Sequence, residues 1–156
     1  MTQQQSTSFE NSKSLNKTIY DNAKTHFLGN FPTNIPIENA YTHIGMFLGW
    51  MIENDLYSEY FEEEAEVQMY RFKKRELGPT ILSELWDGYL GYELFSKTGN
   101  MFTYYYYGSG IYNKDYTNLL AKELPSIYHV KDTWENYALM ANQISNRHKQ
   151  WEELIK

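Results

Sequence analysis

Residues 42–53 read Thr42-His-Ile-Gly-Met-Phe-Leu-Gly-Trp-Met-Ile-Glu53. Ile44, Phe47, Leu48, Met51 and Ile52 recur at i, i+3, i+4, i+7 and i+8, which is one face of a helix. Met46 and Trp50 add apolar surface on the other sides, so the segment reads as the central helix of its domain. Gly45 and Gly49 lie one turn apart on one stripe. A glycine costs about 1 kcal/mol in a helix interior, so the pair predicts close approach of another element. The same spacing serves membrane dimers, but the apolar run from Ile44 to Ile52 is far short of the roughly 20 residues a span needs.

Around this helix, 156 residues are enough for one domain with a real core. The chain has no cysteine, which removes disulfides, thiol nucleophiles and thiolate metal sites together. Fourteen Lys and Arg against 20 Asp and Glu give a net charge of −6. That balance argues against nucleic acid as a partner and suits a basic protein. Residues 1–17 are polar, lack the pattern of a secretory signal, and are expected to form a mobile tail ahead of a helical domain over 18–156. A cytoplasmic protein without membrane spans is expected.

The segment from Tyr20 to Asn39 is punctuated by Gly29, Pro32 and Pro36 and reads as an irregular arm. Ser58 is a cap for a second helix with Phe61, Ala65, Met69 and Phe72 inside. Glu62, Glu63, Glu64 and Glu66 crowd its start and Arg71, Lys73, Lys74 and Arg75 its end, matching the helix dipole. A solvated helix start explains the acidic run; an acidic docking patch is the sharper reading. Pro79 opens a third helix, with Ile81, Leu82, Leu85 and Trp86 as its stripe and Gly88 at its end. A polar helix is expected over Asn113–Lys122. The last begins at Asp132, with Glu135 completing a capping box and Trp134, Tyr137, Ala138, Ala141, Ile144 and His148 inside. The whole predicts a mainly α, compact single-domain bundle of about five helices.

Tyr104, Tyr105, Tyr106 and Tyr107 stand in a row. Successive helical residues turn by about 100°, so no one face holds all four rings. One or two should pack inward while the others lie at a surface, where they become anchors for a partner; rings filling crevices between helices are the other reading.

The sequence marks no reaction. His26, His43, His129 and His148 are scattered without an i, i+4 pair, so no metal site is expected. Gly108-Ser-Gly110 lacks the frame of a nucleophile elbow and of a dinucleotide fingerprint. No cofactor is implied. His43 fits a satisfied core or capping histidine, and Trp86-Asp87 a helix end.

Four segments carry a resemblance. They are Tyr20-Asp-Asn-Ala23, Phe31-Pro32, Thr42-His-Ile-Gly-Met-Phe-Leu-Gly-Trp50 and Leu124-Pro-Ser-Ile-Tyr-His-Val-Lys-Asp-Thr-Trp-Glu-Asn-Tyr137. Together they resemble small bacterial proteins of an uncharacterised domain family with a Thr-His-Ile-Gly-Met-Phe-Leu core, over roughly Lys17 to Trp151. The family pattern runs His-Tyr-Gly-Gly-Asp-Phe-Pro where this chain has His26-Phe-Leu-Gly-Asn-Phe-Pro32. A glycine and an acid are missing, and no catalytic role is carried over. Such proteins look like cognates of secreted polymorphic toxins. The resemblance thus implies an immunity protein that binds a cognate toxin and occludes its active site, and the chain's negative charge suits a basic toxin. Tyr104–Tyr107 and Glu62, Glu63 and Glu64 are the expected contact residues. The alternative is a small enzyme or ligand-binding domain with a pocket near His43, Trp86 and Asp87.

Overall fold

A computed structural model describes residues 18–156; the expected N-terminal tail lies outside them. The helix over Thr42–Glu53, α2, is buried at every position from Thr42 to Ile52. Its two glycines are explained by what lies against them. A Cβ on Gly45 would stand 1.9 Å from the carbonyl oxygen of Pro79, and one on Gly49 would stand 2.4 Å from the Phe72 ring. The missing side chains let two neighbouring helices press against the backbone of α2.

Those neighbours are α3 (Glu59–Lys73) and α4 (Pro79–Glu84). Ser58 caps α3 through Phe61 N–H at 3.1 Å, and Phe61, Ala65, Met69 and Phe72 are all buried. A kink at Ala65 (φ −116°, ψ 15°) divides the acidic first half of α3 from the rest. In α4 only Leu82 of the expected stripe is in the core. Ile81 and Leu85 are about half exposed, and Trp86 lies beyond the helix end. The short helix buries Pro79, Leu82 and Ser83 against α2, so its outer apolar residues face away.

The arm ahead of α2 contains a strand, β1 (Ile19–Asn22), and a short helix, α1 (Ala23–Phe27), before its irregular part. β1 pairs antiparallel with β2 (Tyr89–Gly91), Asp21 opposite Leu90 and Asn22 opposite Tyr89. Asn22 then caps α1 by accepting from Thr25 N–H. Helix α5 spans Lys97–Tyr106, capped by Ser96; α6 spans Ile111–Tyr116 and continues into a π-helical turn, Thr117–Ala121.

The last helix, α7 (Trp134–Leu154), is capped by Thr133, not by Asp132. Asp132 instead accepts from Thr80 N–H at 3.2 Å and caps α4. A local capping signal is read here by a helix distant in sequence. The buried stripe of α7 is Tyr137, Met140, Ile144 and Trp151, while Ala138 is exposed. These side chains, α2 and the buried aromatic residues Phe102 and Tyr106 of α5 and Tyr112 and Tyr116 of α6 form one contiguous core. The architecture is a mainly α bundle with an irregular N-terminal arm. Among the described residues no helix is long and apolar enough to cross a membrane.

Candidate functional site

The four consecutive tyrosines divide as helical geometry demands. Tyr104 is 60% exposed and Tyr105 half-buried, whereas Tyr106 is fully buried. Tyr106 donates to Asp115 Oδ2 at 2.8 Å and stacks on Phe102. Tyr107 is half-buried and turns inward at the end of α5, its ring stacked on Tyr112 and its hydroxyl donating to Asp21. Tyr106 and Tyr107 therefore leave the set of surface anchors, and Tyr104 and Tyr105 remain in it.

Glu62, Glu63 and Glu64 are exposed on the first half of α3. Beside them, Tyr60 is 50% exposed and Val67 69%. An open groove runs between this part of α3 and the α4–β2 turn, walled by Tyr60, Glu64, Leu85, Trp86, Asp87 and Tyr89 among others. Trp86 is held in place by Phe61, at 4.8 Å between ring centres, and by its indole N–H donating to Gln68 at 3.1 Å. Asp87 and Gly88 both take left-handed backbone (φ 55° and 67°), which turns the chain from α4 into β2. Gly88 is needed there, since a Cβ would meet Ala23 Cβ at 2.4 Å.

His43 does not share that groove. Its ring points from the start of α2 into a separate cavity of about 260 Å³, where it meets Asp21 of β1 and His26 of α1. The pocket expected around His43, Trp86 and Asp87 is thus two sites. In the cavity, His26 Nε2 lies 2.7 Å from Asp21 Oδ1, and His43 Nε2 lies 3.2 Å from Asp21 Oδ2. The two Nε2 atoms are 3.3 Å apart. His26 Nδ1 meets the Tyr128 hydroxyl at 2.6 Å. Tyr112 donates to the carbonyl of His43 from below. His43 is only 4% exposed, and among the described residues its Nδ1 has no hydrogen-bond partner.

The electrostatics follow from burial. Desolvation pushes the Asp21 carboxyl up, but hydrogen bonds from His26, His43 and Tyr107 outweigh it and hold the group well below the usual carboxylate range. Burial pushes the His43 imidazole down against the pull of Asp21, so it favours the neutral ring. Burial likewise pushes the Tyr107 and Tyr112 phenols well above their ordinary range, keeping them protonated as donors. A carboxylate flanked by two imidazoles and two phenols can hold a cation or a polar ligand.

Sequence spacing gave no sign of this cluster, because each member comes from a different element. The β1–β2 pairing and the cap at Asn22 bring Asp21 and His26 over the start of α2. The usable signal lay in the quoted segments: Asp21 and His43 both fall inside stretches that carried the resemblance.

No curated protein and no solved structure matches the chain. A family model described as Domain of unknown function (DUF7832) matches residues 19–130. That stretch contains Asp21, His26 and His43, the groove and all four consecutive tyrosines. The match covers well over half of the chain, so the chain belongs to this family of unknown function.

Proposed function

We propose that this protein neutralises a bacterial toxin by binding it, with the acidic first half of α3 and the adjoining groove as the docking face. One observation carries the reading. Tyr60 is exposed on the same half of α3 that presents Glu62, Glu63 and Glu64, beside a groove with Trp86 on its wall, and Val67 is exposed just past the kink. Aromatic side chains beside a run of acidic ones, with Lys24 as the cation among the groove's lining residues, suit a partner that offers a mainly basic, partly apolar surface. The net charge of −6 acts in the same direction at longer range. Binding alone serves this function, and no catalytic residue is required of the chain. The immunity role also fits the likeness to cognates of polymorphic toxins.

The test is growth protection in cells expressing the toxin encoded beside this gene, together with binding kinetics of the purified pair. Reversing Glu62, Glu63 and Glu64 to Lys should slow association at least tenfold at low salt and flatten its salt dependence. Tyr60→Ala should mainly speed dissociation. Folded variants of both kinds that protect and bind like the parent would place the interface elsewhere. A parent that neither binds nor protects would end the immunity reading.

A further inference from the structure

The cavity over the start of α2 holds more than a hydrogen-bond cluster needs. Three groups that serve as transition-metal ligands converge there from β1, α1 and α2, with their donor atoms all within 4.8 Å of one another. Four ligands set tetrahedrally at about 2.0–2.1 Å from a zinc ion stand roughly 3.3 Å from each other. The His26–His43 Nε2 pair is at 3.3 Å and the His43–Asp21 pair at 3.2 Å. The carboxylate meets the two rings through different oxygens, Oδ1 to His26 at 2.7 Å and Oδ2 to His43 at 3.2 Å, so the shorter contact must open for Asp21 to share a metal ion with both rings.

The surroundings suit such a centre. His26 has its second ring nitrogen fixed by the Tyr128 hydroxyl, which leaves Nε2 to face inward. Asp21 is oriented by the Tyr107 hydroxyl. Among the described residues, the salt-bridge partners of Asp21 are the two imidazoles, with no Lys or Arg. A largely buried carboxylate with no Lys or Arg beside it is a place where a divalent ion can supply the balancing charge. The rest of the cavity, toward Tyr112 and Asn113, leaves room for water or a small ligand on the remaining coordination positions.

We infer that Asp21, His26 and His43 form a two-histidine, one-carboxylate site for a divalent first-row transition-metal ion, open on its cavity side. Imidazole and carboxylate together favour zinc or iron(II) over magnesium or calcium, which prefer sites made of oxygen. The site is separate from the docking face on α3, and the two proposals stand or fall apart.

The experiment uses the full, untagged chain, stripped with a chelator and titrated with Zn²⁺ and Co²⁺. One equivalent of Zn²⁺ should bind and raise the melting temperature. Co²⁺ should develop the visible absorption of a four- or five-coordinate site, and Zn²⁺ should displace it. Mg²⁺ at the same concentrations should do neither. Asp21→Asn and His26→Ala should each weaken binding at least tenfold, while His129→Ala leaves it unchanged. A readout that needs no variant is the ¹⁵N signal of the histidine rings. On adding Zn²⁺, Nε2 of His26 and of His43 should shift to metal-bound values. No saturable binding to the folded parent would overturn the proposal. So would binding that leaves both Nε2 signals in place, or binding that survives the Asp21 and His26 substitutions in folded protein. In each of these three cases the cluster is a self-contained hydrogen-bond network between two imidazoles and a carboxylate.

Discussion

Arg147 grips Asp115 with two parallel hydrogen bonds, Nε to Oδ2 and Nη2 to Oδ1, each 2.9 Å long. The pair ties the middle of α7 to α6, and Tyr106 joins it from α5 by donating to the same carboxylate. Asp115 is 6% exposed, so removing the guanidinium strands a buried charge. Arg147→Ala should cost about 2–3 kcal/mol at pH 7, less than for a deeply buried pair because part of Arg147 faces solvent. A urea denaturation midpoint equal to that of the parent would show that the clamp contributes nothing.

The same pair predicts a pH dependence. Burial pushes the Asp115 carboxyl up, but bonds from Arg147, Tyr106 and Gln143 outweigh it and hold the group below its ordinary value. A carboxyl depressed in the folded state stabilises the fold at pH values above its unfolded pKa of about 3.9, and that contribution fades as the pH drops through the lowered folded value. The stability gap between the parent and Arg147→Ala should therefore be widest near neutrality and shrink toward pH 3. Urea midpoints of both proteins at pH 7, 5 and 3 measure it. A gap that grows on acidification contradicts the assignment.

Gly45→Ala should destabilise the protein by several kcal/mol or abolish folding. In an exposed helix interior the same change gains roughly 1 kcal/mol. Here the added methyl meets backbone atoms of Pro79 at 1.9 and 2.5 Å, and a backbone cannot move aside as a flexible side chain would. Thermal melting of the variant checks this, with Gly108→Ala unsuitable as a control because its Cβ would also meet backbone, at 2.8 Å from Tyr104 O.

Phe47→Ala probes the centre of the core. The ring is fully buried and packs against Phe95, Tyr106, Tyr107 and Tyr112, with centroids 5.0–6.3 Å away. Its loss should cost about 3–5 kcal/mol. A midpoint shift worth less than about 1 kcal/mol would mean that the surrounding rings close the gap.

What was legible in the sequence was local. The period of α2, its glycine stripe and the Ser58 cap each rest on residues within two turns of one another, and each is found in the fold. The β1–β2 pair was not legible because Asp21 and Leu90 are short-strand residues about 70 positions apart, with no turn to join them. Asp132 carried a correct capping chemistry whose target, Thr80, no local rule identifies. The histidine cluster was hidden for the same reason. His26 and His43 are 17 residues apart on different helices, so a search for helical spacing passes over them. The tyrosine run lay between these cases. Its geometry required a division between inside and outside, but only the partners Asp115 and Asp21 decide which rings turn in.

That division gives the last prediction. Tyr106→Phe keeps the ring in the core and removes one hydrogen bond to a buried carboxylate, which should cost about 1.5–3 kcal/mol. Tyr104→Ala deletes a whole ring that is 60% exposed, and stability should change by no more than about 0.5 kcal/mol. The smaller chemical change should thus have the larger effect, because burial and not size sets the outcome. Urea denaturation of both variants at pH 7 decides it. Since Tyr104→Ala leaves the fold intact, any change it makes in binding to the proposed toxin reports a contact made by that ring. If Tyr104→Ala destabilises as much as Tyr106→Phe, the outward ring of α5 is packed in solution, and α5 has no free face to offer a partner.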